Sequence, residues 1–94
     1  MVKPLAIRWS SRFKKDYKKM RRQGKDMAKL DAVITSIAKR ETLSEAQHDH
    51  ELSNNWAHHR ECHIAPNWLL IYHIHEDVLV LELTRTGSHS DLFS

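Results

Sequence analysis

The feature that most constrains the fold is a change of hydrophobic period near the middle of the chain. Before residue 40, apolar residues recur at helical spacing and form two narrow stripes. From Ala57 onwards they alternate or run together, as they do in strands. A helix with one apolar stripe must bury it against another element, and a sheet is the simplest partner. The stripes are Phe13, Tyr17 and Met20, followed by Met27, Leu30, Val33, Ile34 and Ile37.

Short signals mark the ends of these helices. Ser10 or Ser11 can cap the first helix, Gly24 ends it, and Asp26 can cap the second. Ahead of them, alternation from Leu5 to Trp9 predicts a short strand with one buried face. The N-terminal half is therefore predicted to be a strand followed by a helical hairpin.

The C-terminal half has the pattern of a meander. Residues 41–55 lack either period and predict a loop, and residues after Gly87 predict a short tail. Short turns between consecutive strands favour antiparallel pairing, and the central strand should be the most hydrophobic run. We therefore predict one α+β domain, residues 1–94, with the N-terminal strand and helical hairpin packed on a small antiparallel sheet. The predicted strands of the meander are 57–64, 68–72 and 78–84.

Charge and histidine are divided between the two halves. Residues 1–40 carry thirteen of the 15 lysines and arginines and only three acids. Residues 41–94 carry nine acids and all eight histidines. A basic block is typical of proteins that bind polyanions, and histidine transfers protons near neutral pH. The division predicts one part that binds nucleic acid and another that acts on it.

Other functional classes are disfavoured by simple features. The single Cys62 excludes an intramolecular disulfide and favours a reducing compartment. The first fifteen residues lack the apolar core of a signal peptide, and no apolar run approaches the roughly 20 residues of a membrane span. We expect a cytoplasmic protein without a membrane partner.

Strand alternation predicts a row of polar side chains on the first meander strand. His59, Glu61 and His63 should line an open face, while Cys62 faces the core. His50 from the loop and His89 after Gly87 can reach the same face. A metal-free ribonuclease needs a base, an acid and a cation beside the phosphate, and histidines with Arg85 supply them.

Plainer interpretations compete with this one. The row can be an ordinary solvated sheet face, and His48, His58, His73 and His75 are predicted to be surface residues without a role. Zinc is a further alternative, but its ligand spacing matches no common zinc site and alternation splits the ligands between two faces. We therefore expect no metal and no cofactor. The zinc ligands considered are His58, His59, Cys62 and His63.

Several motifs together form a recognisable pattern. They include His50-Glu-Leu52, Trp56, Arg60-Glu-Cys-His63-Ile, Pro66-Asn-Trp68-Leu-Leu-Ile-Tyr72 and Arg85-Thr-Gly-Ser-His89-Ser-Asp-Leu-Phe93. This pattern resembles the YafQ branch of the RelE superfamily, toxins of bacterial type II toxin–antitoxin pairs, and the likeness extends over essentially the whole chain. Two positions differ, because that family usually has aspartate where this chain has Glu61 and Asn67.

The resemblance implies a microbial RNase fold and an endoribonuclease that cuts mRNA in the ribosomal A site. It implies a cognate antitoxin as partner, with operator DNA bound only by the toxin–antitoxin complex. The implied roles are base for His50 and acid for His89, with the reverse assignment equally open on the sequence. They also include phosphate contacts for His63 and Arg85, and base stacking for Phe93. Glu61 and Asn67 complete the implied active-site set. The residues expected to dock on ribosomal RNA are Lys14, Lys15, Lys18, Lys19, Arg21 and Arg22.

Two other functions remain open on the sequence alone. A basic RNA- or DNA-binding module would carry the same charge with incidental histidines. A catalytically weakened relative would act only through its antitoxin.

Overall fold

The computed structural model describes residues 3–93, which form a five-stranded sheet, three α-helices and two 3₁₀ turns. The α+β class agrees with the prediction. None of the helices in this range is long and apolar enough to cross a membrane. The 3₁₀ turns span Glu45–Gln47 and Asn54–Trp56. The main elements are β1 (Ala6–Trp9), α1 (Ser11–Arg22), α2 (Met27–Ala38), β2 (His50–Glu51), β3 (Arg60–Ala65), β4 (Trp68–His75), β5 (Val80–Gly87) and α3 (His89–Phe93).

The helical hairpin is built from the predicted caps. Ser10 and Asp26 each accept a backbone N–H bond from the helix that they precede. At the end of α1, Gly24 adopts φ +77°, and the N–H of Lys25 donates to the carbonyl of Met20 at 3.2 Å. This arrangement is a Schellman motif, and it turns the chain from α1 towards α2.

The sheet has the order β1-β5-β4-β3-β2, so β4 is the central strand, as predicted. The pairs from β2 to β5 are antiparallel, but β1 pairs with β5 in parallel. The predicted antiparallel meander is confirmed, and the N-terminal strand, whose pairing was not predicted, joins its edge in parallel. After the helical hairpin, the chain enters the sheet at β2, on the opposite edge from β1. The meander then runs back across the sheet, and its last strand, β5, lies beside β1 and runs in the same direction.

The two faces of the sheet are covered unequally. On β4, Leu70 and Tyr72 point towards α1 and α2 and join the main core, while Leu69 and Ile71 point away. On that second face they meet only a small cluster that includes Leu92 of α3. The main core comprises Leu5, Phe13, Met20, Leu30, Val33, Ile34, Ile37, Ala38, Cys62, Trp68, Leu70, Tyr72, Leu81 and Leu83.

Several predicted boundaries are wrong. Residues Ala6–Trp9 of β1 are all exposed, so only Leu5, just before the strand, is buried. β1 lies at the edge of the sheet, and none of its side chains joins the main core. The strand predicted from Ala57 begins at Arg60, because His58 turns the chain with φ +68°. The strand predicted from Val78 begins at Val80, because Leu79 still belongs to the turn, with φ +55°.

The predicted loop and tail both contain regular structure. The loop over residues 41–55 includes β2, which is held by pairing with β3. Within the predicted tail, residues 89–93 form α3, which is capped reciprocally: the Ser88 hydroxyl accepts the Asp91 N–H, and the Asp91 carboxylate accepts the Ser88 N–H. The sequence Ser88-x-x-Asp91 is the capping-box signal that predicts this helix.

We predict that Gly24→Ala lowers the free energy of unfolding by about 1 kcal/mol. A Cβ at this position meets no atom within 4 Å, so the loss comes from the left-handed backbone alone. Urea denaturation measures the change. The control is Gln23→Ala, where φ is −78° and a change within about 0.5 kcal/mol is expected. Equal losses in the two variants would contradict the backbone explanation.

Candidate active site

A carboxylate and two imidazoles meet on the sheet face opposite the helical hairpin. Glu61 and His63 lie two residues apart on β3, and His89 begins α3 directly after the end of β5. One oxygen or nitrogen atom from each side chain lies within 4.8 Å of the others. The His63 Nε2 atom is 3.6 Å from Glu61 Oε1. These three side chains have a geometry that can hold one metal ion, and equally one that can move protons.

Glu61 is buried, with 5% of its surface exposed. The predicted open face is therefore covered at this position. The cover comes from the small apolar cluster, because Ile71 pairs with Glu61 in the sheet and packs with Leu92. A buried carboxylate beside His63 can hold that ring in place.

His89 is held by Asn67. The Asn67 Oδ1 atom lies 3.2 Å from His89 Nδ1 and 3.4 Å from the His89 backbone nitrogen. Because an amide oxygen only accepts hydrogen bonds, the Nδ1 atom carries a proton in this contact. Nε2 is then the ring nitrogen left to exchange a proton with a substrate.

His50 is held in a similar way. It pairs with Glu61 across β2 and β3, so the two side chains point to the same face. Its Nδ1 atom lies 2.6 Å from the His48 carbonyl oxygen, which again requires a proton on Nδ1. The His48 ring lies 5.2 Å from the His63 ring, between centroids. His48 is exposed, as predicted, and this ring contact places it beside the cluster.

Asp49, between these two histidines, anchors the segment to the helix side of the sheet. It accepts a hydrogen bond from the Tyr72 hydroxyl at 2.5 Å and two from Arg60 at 3.2 Å. Burial, together with the bond to Asp49, raises the pKa of Tyr72, so the phenol stays protonated and donates. Sequence reasoning missed this anchor because its partners lie on β3 and β4.

Arg85 is held by Asp16 of α1. The Arg85 Nε and Nη2 atoms donate to the carboxylate at 2.6 and 3.2 Å, and the Thr86 N–H donates to the same carboxylate at 3.2 Å. The hydrogen bonds that Arg85 donates to Asp16 raise the pKa of Arg85 further. The ion pair joins α1 to β5 and fixes the orientation of the guanidinium.

The short helix α3 carries His89 and Phe93 and is tied to α1. The hydrogen bond from the Ser88 N–H, together with Lys19 at 3.2 Å, lowers the pKa of the Asp91 carboxyl. The Phe93 ring is 45% exposed and lies 6.5 Å from the His89 ring. An exposed ring beside the His89 imidazole has the position needed to stack on a base.

The remaining histidines lie elsewhere on the same face. The His59 ring contacts the rings of Trp56 and His73 rather than His63. The zinc set considered above is not assembled, because Cys62 lies in the main core, on the opposite face from His63. Burial raises the pKa of the Cys62 thiol to about 12, so it stays protonated.

Comparison with known proteins identifies relatives along nearly the whole chain. A family described as bacterial toxin of type II toxin–antitoxin system, YafQ, matches residues 5–94. The mRNA interferase toxin YafQ of Escherichia coli BL21-DE3 is 36% identical over 88 residues, which cover 93% of this chain and 94% of that protein.

Solved structures of relatives share the fold. The crystal structure of the E. coli DinJ–YafQ toxin–antitoxin complex matches with a TM-score of 0.88 and 33% identity, over 97% of this chain and 99% of that one. A metal-bound toxin from Helicobacter pylori matches with a TM-score of 0.90 and 38% identity, over 95% and 99%.

We predict that Tyr72→Phe weakens the Asp49 anchor. Removing the hydroxyl leaves Asp49 with one donor fewer, and we expect the free energy of unfolding to fall by about 1–2 kcal/mol. Amide hydrogen exchange should become faster at residues 48–51. The matched control is Tyr17→Phe, which removes a hydroxyl bonded to the exposed Asp31 and should change neither quantity. Unchanged exchange in Tyr72→Phe would show that Asp49 does not hold the segment.

Proposed function

Because the chain belongs to the YafQ family of type II toxin–antitoxin toxins, we propose that it is an mRNA interferase, an endoribonuclease that stops translation. Its protein partner is a cognate antitoxin, as DinJ is the partner of YafQ in the E. coli complex. We further propose that it acts in the cytoplasm, cuts mRNA in the ribosomal A site and needs no metal ion.

The main support for acid–base chemistry is that His50 and His89 both carry a proton on Nδ1. Each ring has its Nδ1 atom against an oxygen that only accepts, so each presents Nε2 as its working nitrogen. Neutral His50 is then suited to take the proton of the ribose 2′-OH. Protonated His89 is suited to give a proton to the leaving 5′-oxygen. General acid–base help of this kind contributes roughly 10²–10⁴-fold.

The other residues would position the phosphate and the bases. His63, whose Nε2 atom lies 3.6 Å from Glu61, would contact the scissile phosphate. Arg85 would be a fixed cation, because Asp16 binds its Nε and Nη2 atoms and Nη1 is the edge that remains for a phosphate oxygen. Hydrogen-bond donors that are already held in position stabilise the charge that develops in the transition state, because they do not have to reorient. Phe93 would stack on a base, and Asn67 would orient His89.

Growth and cleavage assays test this function. We predict that a His50→Ala, His89→Ala double variant loses growth arrest, and that its mRNA cleavage in a translation reaction falls by at least about 10²-fold. The control is His58→Asn, since His58 lies outside the cluster and asparagine tolerates its left-handed backbone. Primer extension on the message locates the cuts, and a chelator that binds transition metals but leaves the Mg²⁺ that ribosomes need should not change them.

Each alternative has its own outcome in this assay. Arrest that survives the double change would indicate a binding module. Intact mRNA with no arrest from the unaltered chain would indicate a weakened relative. Loss of cleavage on chelation would show that Glu61, His63 and His89 work through a metal ion.

We propose that the exposed cations of α1 dock on ribosomal RNA. Reversing Lys14, Lys15 and Lys18 to Glu should weaken ribosome binding by roughly 10-fold or more and flatten its salt dependence, because phosphate contacts release counterions. Lys19 is left unchanged, because it is paired with Asp91.

A charge-matched variant controls for net charge. Reversing Lys3, Lys29 and Lys39, which are exposed elsewhere, changes the total charge equally. Sedimentation with ribosomes at several salt concentrations compares the two. Equal weakening in both variants would show that α1 is not the docking surface. Arg21 and Arg22 at the end of α1 extend the same surface.

A further inference from the structure

We propose that Trp56, His59, His73 and His75 form a stacking surface for bases of the single-stranded mRNA that flank the cleaved bond. We call these four residues the ring track. The proposal rests on the function proposed above and extends it, because it assigns a second RNA-binding region outside the residues that would cut and hold the phosphate.

The track is continuous. The centroid of the Trp56 ring lies 5.5 Å from that of His59, His59 lies 5.0 Å from His73, and His73 lies 4.0 Å from His75. These spacings are within the range of direct ring contact. The four rings therefore form one connected surface rather than scattered side chains.

The track begins at the candidate active site. The Trp56 ring lies 6.3 Å from Phe93, and Phe93 lies 6.5 Å from His89. A strand of RNA with one base on Phe93 can place its next bases on Trp56 and the imidazoles. Sheet faces that carry aromatic rings bind two or three successive bases in this way in other RNA-binding folds.

The track lies where the second sheet face loses its apolar cover. Leu69 and Ile71 of β4 are covered by the cluster that includes Leu92, whereas His73 and His75 further along the strand are only half-buried. A half-buried ring keeps a face for a ligand while its neighbours hold its position. The surface is therefore accessible to a flat base.

The charges beside the track are compatible with RNA. Glu82 of β5 is bonded to His75 at 3.0 Å and to Arg8 of β1, so its carboxylate is neutralised rather than left to repel phosphates. Burial and the neighbouring rings of His75 and His59 lower the pKa of His73, although Glu82 opposes this. An uncharged His73 can lie against other rings and against a base.

The ring geometry favours a base over a metal ion. The His73 and His75 rings are tilted by 34° with centroids 4.0 Å apart, so the two rings lie against each other. The His75 Nε2 atom is engaged by Glu82, and the His59 Nδ1 atom lies 3.1 Å from the Ala57 carbonyl. Ring faces, more than ring nitrogens, are what the track presents.

A length series of RNA tests the proposal on the whole protein. Single-stranded 2′-O-methyl oligonucleotides of two to eight nucleotides lack the attacking hydroxyl, so they bind without being cut. Fluorescence anisotropy should show affinity that rises with length and then levels off. A His59→Ala, His73→Ala double variant should lose roughly 5- to 10-fold in affinity for the longer oligonucleotides and keep its affinity for the dinucleotide.

Trp9→Leu is the matched control. It removes an exposed ring on the helix side of the sheet, where Trp9 contacts Phe13 and Tyr17, and should leave binding unchanged. NMR of the unaltered protein gives a second readout that needs no substitution. The Trp56 indole and the track imidazoles should shift on addition of the octanucleotide.

The outcomes separate this proposal from the function on which it rests. The ring track would be overturned if the double variant still gained affinity with oligonucleotide length, or if the NMR shifts were confined to α1. In that case, mRNA cleavage by the unaltered chain would still support the proposed toxin function. Shifts of the track with zinc chloride but not with RNA would make it a metal site instead. Absence of both RNA binding and cleavage would overturn both proposals.

Discussion

The one-sided cover of the sheet is the constraint on which the rest of the structure depends. The helical hairpin buries one face, and alternation on each strand then sends every second side chain to the other. No second pair of helices covers that face in residues 3–93; α3 and the segment around Trp56 cover only its middle. Where this partial cover lies, Glu61 is buried beside His63. Where it ends, His73 remains half open. One physical fact therefore accounts both for the burial of Glu61 in the candidate site and for the partly open rings of the ring track next to it.

The sequence predicted those features of the fold that depend on residues close together in the chain. The stripes of α1 and α2, the caps at Ser10 and Asp26 and the central position of β4 all follow from periods and capping signals within a few residues. The opposite faces of Cys62 and His63 follow from alternation alone. The parallel pairing of β1 did not follow, because it depends on where β5 arrives some 70 residues later. The short helix α3 carried its signal in Ser88 and Asp91, but five residues give too little periodicity to see.

The candidate site was reached through family resemblance more than through spacing. The motifs named the residues, but the contacts that give them chemical roles join distant parts of the chain. Asp16 on α1 pairs with Arg85 on β5. Asp49, just before β2, accepts a hydrogen bond from Tyr72 on β4. Contacts between such distant residues leave no periodic pattern in the sequence, so neither composition nor spacing predicts them. They also explain why a cation predicted to be free for phosphate is instead shared with a carboxylate.

Asn67 stands where the family usually has aspartate, and an uncharged side chain here is compatible with the carboxylate that Glu61 already supplies. Glu61 already places one carboxylate within 4.8 Å of the ring atoms of His63 and His89. A second carboxylate on His89 would add negative charge where an RNA phosphate must enter, although it would also stabilise the protonated ring. The amide oxygen keeps the acceptor that holds Nδ1, as the 3.2 Å contact shows, without adding that charge. The orientation of His89 is therefore preserved without a second carboxylate at this position.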